Sequence, residues 1–381
     1  MNYRKLGKTG LMVSEIGYGP EALDGKTPEE GRAIALRCAE YGINICDCWM
    51  SDPVVRSNLG DSIRDMRDKW IIQGQLGATW VNGQYKRTRE LKYVIPSFED
   101  ELRRFHTDHF EIGIIHYVDT DKDYDEVVNG DFIDYVLKMK DEGKIEHIGL
   151  STHNPLIAKR AIRDGLVEML MFSINPIFDM LPPIDNLDIL LGGGFEIDTN
   201  GIHKERAELY ALAEKENVGL TVMKGFAAGR LFDAKRSPFG VALTPVQCIH
   251  YALTRPAVAS ILVGYSKPEH VDAAVAYESA SDEEKDYATV LANAEHNAYK
   301  DMCTYCNHCK PCPSNIDIAM VNKLYDLGIT SDKLPPSIAE HYNNLEKHAG
   351  DCIECGSCRV RCPFDVNVID YMRKAKDLFG Y

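Results

Sequence analysis

The sequence has no run of about 18 apolar residues, the length a helix needs to cross a bilayer, which excludes a helical membrane protein. Basic residues are in the minority: 43 Lys and Arg face 58 Asp and Glu, a formal net charge of −15. That balance argues against nucleic acid or an anionic membrane surface as partner. The opening MNYRKLGKTG holds no apolar segment that could act as a secretory signal, so a cytoplasmic location is expected. No G-x-G-x-x-G follows the first apolar run, which counts against the alternative of a doubly wound dinucleotide-binding sheet.

Cysteine, by contrast, is abundant. There are 12, and eight of them fall in CTYCNHCKPCP (Cys303–Pro313) and CIECGSCRVRCP (Cys352–Pro363). In a reducing compartment, clustered thiols point to metal ligation rather than to disulfides. Two structural zinc ions, each held by two C-x2-C pairs, are one reading. The second run, C-x2-C-x2-C-x3-C-P, has the bacterial iron–sulfur spacing, in which the fourth Cys ligates the other cluster. On that pattern Cys303, Cys306, Cys309 and Cys362 hold one [4Fe–4S] cluster. Cys352, Cys355, Cys358 and Cys312 hold the second. The segment between the runs has helical spacing in SIAEHYNNLEKHA and predicts one or two helices.

Ahead of the cysteine runs, short apolar stretches alternate with helical patterns. EIGYG (Glu15–Gly19), INICD (Ile43–Asp47), WIIQGQL (Trp70–Leu76) and FEIGIIHYV (Phe110–Val118) are the first four. KIEHIGLS (Lys144–Ser151), EMLMFSIN (Glu168–Asn175), GLTVMK (Gly219–Lys224) and ASILVGYS (Ala259–Ser266) follow. Continuous apolar strands separated by helices predict a parallel sheet covered by helices. Eight such units predict a (β/α)8 TIM barrel. The expected organisation is a barrel over residues 1–285, then a C-terminal helical, ferredoxin-like domain with the two clusters over residues 286–381. YRKLGKTGLMVS predicts a hairpin on the barrel floor. The Gly-rich stretch Leu181–Gly201 reads either as a substrate-side loop or as a plain connector.

The opening YRKLGKTGLMVSEIGYG, with GINICD, IIHYV, GKIEHIGLSTHN, VGLTVMKGFAAGRL and VGYSKPEHV, resembles the aldo/keto reductases. With the cysteine runs appended, the whole chain resembles their ferredoxin-fused branch. The resemblance implies hydride transfer between a nicotinamide and a carbonyl, served by an Asp, a Tyr, a Lys and a His. Asp47 and His116 match that set. The Tyr position is Asp52 here, and the Lys position is Gln75. The resemblance also implies a nicotinamide site at Ser151, Asn154, Asn175 and Lys224, with adenosine phosphate near Ser266 and Lys267. Ala273 and Ala274 stand where polar adenosine contacts are usual, so an NAD(P)H site is expected to be weakened.

Without its Lys partner, Asp47 is expected to have a raised pKa, and Asp47 or Asp52 becomes the candidate proton donor. It can also pair with Gln75, or be a remnant. His116 is expected to orient the substrate oxygen. Cys46 and Cys48 flank Asp47 and are expected in the helix layer, buried like Cys38 and Cys248. Trp49, Trp80, Tyr85 and Tyr117 read as lining for a cyclic substrate or as rim packing. A cluster carries one electron and a nicotinamide two, so a flavin is a candidate converter.

The expected function is an oxygen-sensitive iron–sulfur oxidoreductase from an anaerobic or microaerobic setting. It would reduce, or reductively eliminate from, a small carbonyl- or hydroxyl-bearing substrate, with electrons passed through the clusters. A ferredoxin or flavoprotein is the expected electron-donating partner. Two alternatives stand: an ordinary NAD(P)H-dependent reductase with structural clusters, and a non-enzymatic electron-transfer or redox-sensing protein on a degenerate barrel.

Overall fold

A short hairpin seals one end of the molecule. In the computed structural model, which describes residues 1–184, 201–294, 299–329 and 333–381, β1 (Tyr3–Lys5) pairs antiparallel with β2 (Met12–Ser14). Gly7 in its turn has φ +51°, and a Cβ there would collide with the backbone of Gly219. Only glycine allows this close approach. Leu6 and Val13 of the hairpin pack with Ile45, Ile112, Ile114, Met169 and Ala259 as an apolar floor.

The eight apolar runs all become strands. They are β3 (Ile16–Gly19), β4 (Ile45–Asp47), β5 (Ile71–Leu76), β8 (Phe110–Ile115), β9 (Ile145–Thr152), β10 (Met169–Ser173), β11 (Gly219–Met223) and β12 (Val258–Gly264). They close into one barrel in the order β10-β11-β12-β3-β4-β5-β8-β9, with parallel neighbours throughout. Two further strands, β6 (Ala78–Val81) and β7 (Gln84–Arg87), form an antiparallel hairpin in the connection after β5. Most of the stretch Leu181–Gly201 lies outside the described residues, so its reading as a substrate-side loop is left there.

Beyond the barrel, the two expected helices between the cysteine runs are Ile318–Gly328 and Pro336–Asn343, and Val368–Phe379 closes the chain. These elements share one apolar core with the barrel helices. The junction is polar and specific. Arg255, fully buried, donates from Nη2 to the Thr304 carbonyl at 2.7 Å. Tyr287 donates to the same carbonyl at 2.8 Å, and Tyr299 donates to the Pro176 carbonyl at 2.9 Å. Among the described residues no helix is long and apolar enough to cross a membrane.

Candidate active site

Side chains alternate in and out along a strand, so the inward residues of each barrel strand form a ladder. On β5 the ladder is Ile71, Gln73, Gln75; on β4 it is Ile45, Asp47; on β8 and its extension it is Ile112, Ile114, His116. The lowest rungs form or pack on the apolar floor. Gln73 accepts a hydrogen bond from Thr221 Oγ1 across the barrel at 2.9 Å. The top rungs, Asp47, Gln75 and His116, open into a cavity of about 690 Å³ at the C-terminal end of the strands. Catalytic sites of this fold sit at that end.

The top rungs are joined in one chain of hydrogen bonds. Gln75 Nε2 donates to Asp47 Oδ1. Gln75 Oε1 lies 2.8 Å from His116 Nδ1, and Tyr85 Oη lies 2.8 Å from His116 Nε2. Since Oε1 can only accept, Nδ1 carries the proton, and Nε2 accepts from the tyrosine hydroxyl. Burial, followed by the positive charge of Arg89, Arg87 and Arg56, holds His116 well below the usual imidazole range. Burial pushes Tyr85 up to about 12. Aromatic rings wall the cavity: Trp49 meets the Tyr85 ring edge-on at 5.8 Å, and Phe226, Phe232 and Trp80 complete the lining. Tyr117 and Lys224, also on the wall, have φ of 48° and 60°, left-handed conformations that non-glycine residues adopt at a cost and that concentrate at functional sites.

Burial raises Asp47 to about 8, with the nearby Glu101 charge adding to it. Its unfolded value is near 3.9. Between those limits the folded chain holds a proton that the unfolded chain has released, so this residue makes stability fall as pH rises from about 4 to about 8. Asp47→Asn keeps an acceptor for Gln75 and removes the titration. Its melting temperature is expected to fall less than that of the wild type between pH 6 and pH 9. Parallel curves in that range would show that Asp47 is already ionised.

The other expected site residues divide. Ser151 and Lys224 line the cavity; Ser151 Oγ accepts from the Tyr117 amide at 2.8 Å. Asp52 also lines it, but its carboxylate caps the Pro53–Ile63 helix by accepting from the Val54 amide at 2.7 Å. Asn154 and Asn175 are absent from the lining. Asn154 caps the helix Pro155–Arg163, and Asn175 caps Pro176–Asp179 while donating to the Lys224 carbonyl at 2.9 Å. Ser266 Oγ bonds His270 Nδ1 at 3.1 Å, beside Lys267 at the start of the helix Pro268–Val275. Cys46, Cys48, Cys38 and Cys248 are buried.

Three features escaped the sequence reading. One is the Tyr85 hydroxyl on His116. Another is His153, on the cavity wall, whose Nδ1 lies 2.9 Å from Asp119 Oδ2 and whose Nε2 has no hydrogen-bond partner among the described residues. The third is a buried ion pair under the mouth, Arg56 with Glu101 at 3.3 Å.

The cysteine runs fold against each other. Cys312, Cys352, Cys355 and Cys358 line one small cavity together with Ile316, Ile353 and Met372. Cys362 comes close to the other run: burial raises its thiol, and the neighbouring Cys306 sulfur adds to the rise. Asn322 Nδ2 donates to Cys303 Sγ at 3.3 Å, and the Glu354 amide donates to Cys352 Sγ at 3.4 Å. Among the described residues, no three His, Cys, Asp or Glu side chains converge on a single metal ion.

A sequence model of the Aldo/keto reductase family matches residues 15–245, which takes in seven of the eight barrel strands and stops ahead of the cysteine runs. The uncharacterized oxidoreductase YqkF of Bacillus subtilis is 24% identical over 285 residues, 71% of this chain and 89% of that protein. Aldo-keto reductase YhdN of the same organism is 26% identical over 160 residues, 40% of this chain and 47% of that protein. Among solved structures, aldo-keto reductase AKR11C1 from Bacillus halodurans in its holo form matches with a TM-score of 0.59 at 22% identity. That match covers 75% of this chain and 94% of that one, and at such identity it shows a shared fold.

Proposed function

This chain belongs to the aldo/keto reductase family, and from that membership we propose that it reduces a small carbonyl-bearing organic substrate, or oxidises the matching hydroxyl, in the aromatic mouth of its barrel. We further propose that the segment after residue 300 carries two [4Fe–4S] clusters that pass electrons to the site. The observation that carries the reading is the chain Asp47–Gln75–His116–Tyr85, which ends at the cavity. It places polar groups where a substrate oxygen can be held while the ring walls bury the rest of a small, preferably cyclic, molecule. The clusters would supply single electrons, delivered by a ferredoxin or flavoprotein, with a flavin as a candidate converter. The crossed grouping of the thiols supports the ligand sets Cys303, Cys306, Cys309, Cys362 and Cys312, Cys352, Cys355, Cys358.

The test is an oxygen-free single turnover of dithionite-reduced protein against a panel of cyclic ketones, quinones and aldehydes, without nicotinamide. Product formed at the rate of cluster reoxidation supports this reading. Clusters that stay reduced while product appears only on adding NADPH would overturn the electron route and leave the clusters structural.

A nicotinamide is the second reading, favoured by Ser151 and Lys224 on the cavity wall. Its adenosine end is thinned. Ala274 is buried in the core, so of the two alanines only Ala273 is exposed to a ligand. One lost polar contact costs about 1 kcal/mol, so NADPH is expected to bind about fivefold more weakly than to a family member with a polar residue there. Ala273→Glu, titrated by calorimetry, is expected to regain much of that factor. An unchanged Kd would remove this position from the nucleotide site.

A further inference from the structure

We propose that Tyr85 is the catalytic proton donor to the substrate oxygen, delivered from the β6–β7 hairpin in place of the tyrosine that the β4 connection lacks. The inference rests on the reading of the mouth as a carbonyl-reducing site. Four observations converge on it.

The hydroxyl lies 2.8 Å from His116 Nε2, and the two rings meet at 79° with centroids 5.9 Å apart. Both residues line the cavity. An oxygen entering beside His116 therefore meets the tyrosine hydroxyl at the same point.

The neighbouring groups are turned to other partners. His116 has its proton on Nδ1, committed to Gln75, so Nε2 offers a lone pair and no hydrogen to a substrate. His153 Nδ1 is held by Asp119. Asp52 is engaged as a helix cap, and Asp47 is turned to Gln75. Tyr85 carries its proton at the outer end of the chain, donated in the resting site to His116 Nε2, whereas a proton on Asp47 sits at the inner end beside Gln75.

The hairpin that carries Tyr85 is tied down. Thr79 Oγ1 donates to the Lys86 carbonyl at 2.7 Å, Ser51 Oγ donates to the Thr79 carbonyl at 2.8 Å, and Arg87 Nη1 donates to the Tyr117 carbonyl at 3.0 Å. A side chain on so anchored a ribbon can be preorganised for proton transfer.

Finally, the positive charge of Arg87 and Arg89 favours the ionised phenol, against burial and against Tyr117 and Asp123. A phenolate that forms during reaction would be favoured by that positive charge.

In the step itself, the carbonyl carbon would gain a hydride from a reduced nicotinamide, or else two electrons, one from each of two reduced clusters, together with a proton from water. The C=O π pair moves onto oxygen. The Tyr85 O–H bond breaks, a new O–H bond forms on the substrate, and the phenolate recovers a proton from water. His116 accepts the hydroxyl hydrogen bond in the resting site and holds the phenol in line.

The test uses the full chain, oxygen-free, with cyclohexanone as probe and either NADPH as reductant or chain reduced with dithionite and then freed of it. Tyr85→Phe keeps the ring and its packing. It is expected to lower kcat about a hundredfold or more, the usual worth of a general acid, with KM within about twofold. Nitrogen-15 NMR of histidine-labelled protein is expected to show His116 still protonated on Nδ1 in the variant. A kcat within about threefold of wild type would overturn the proposal and leave the proposed function standing. So would a loss confined to KM, or a changed His116 tautomer, since either makes Tyr85 a packing or positioning group. A wild type that reduces the probe with neither donor would overturn both.

Discussion

Protein purified without oxygen is expected to carry about eight iron and about eight sulfide per chain, and Cys352→Ala and Cys362→Ala are each expected to remove a different four-iron half. The crossed sets are proposed from the spacing of the two runs, and the placement of Cys312 and Cys362 supports them. Cys312 leaves its own run and joins Cys352, Cys355 and Cys358 around one cavity. Cys362 leaves its run and comes near Cys306. Each cluster would then staple the two runs together, so losing one ligand unties a long-range link as well as a metal site. Cys312→Ala is accordingly expected to remove the same spectroscopic species as Cys352→Ala, although 40 residues separate them. If Cys352→Ala and Cys362→Ala removed the same species, the crossed grouping would be wrong. Two zinc ions with no sulfide would end the cluster reading itself.

The barrel was legible because its strands are buried on both faces. Burial of that kind writes a continuous apolar run into the sequence, and all eight runs are strands at the expected places. The family resemblance put Asp47, Gln75 and His116 at the mouth, and the period of two then sent Cys46 and Cys48 the other way. Tyr85 was legible as pocket lining, but its contact with His116 was not, because the two lie 31 residues apart and only the fold of the β6–β7 hairpin brings them together. No local spacing encodes that contact.

Some signals carried a mechanical purpose beside the one the family resemblance suggested. Asp52, Asn154 and Asn175 each stand directly before a proline. Asp or Asn followed by Pro is the pattern of a helix start, where the side chain takes the orphan amides and Pro occupies the first helical position. The structure uses all three that way. For Asn154 and Asn175 the cap removes the side chain from the cavity. Family resemblance drew attention to their polarity, while the following proline already stated their mechanical role.

The largest stability effect in the barrel is expected beneath the mouth rather than in it. Arg56 and Glu101 form an ion pair with 1% and 0% of their side chains exposed. Arg56 also donates to the carbonyls of Met50, Ser97 and Ala78, and Glu101 accepts from the Gln75 amide at 3.2 Å. The pair therefore ties together the segments that carry Trp49, Gln75 and the start of the β6–β7 hairpin. Removing one partner strands a buried charge, at a cost of about 3–5 kcal/mol. Burial already raises Glu101 to about 7 even with Arg56 opposite. In Arg56→Met that rise must grow, and the carboxyl can escape its penalty by keeping its proton. The loss in Arg56→Met is thus expected to be larger at pH 9 than at pH 6. Glu101→Gln leaves a guanidinium that cannot shed its charge, so its loss should not share that pH dependence. The double variant should recover part of either loss, because no unpaired charge remains. Urea midpoints of the three variants at both pH values decide it. An Arg56→Met loss of equal size at both would mean that Glu101 is neutral throughout, and that the mouth is braced by hydrogen bonds alone.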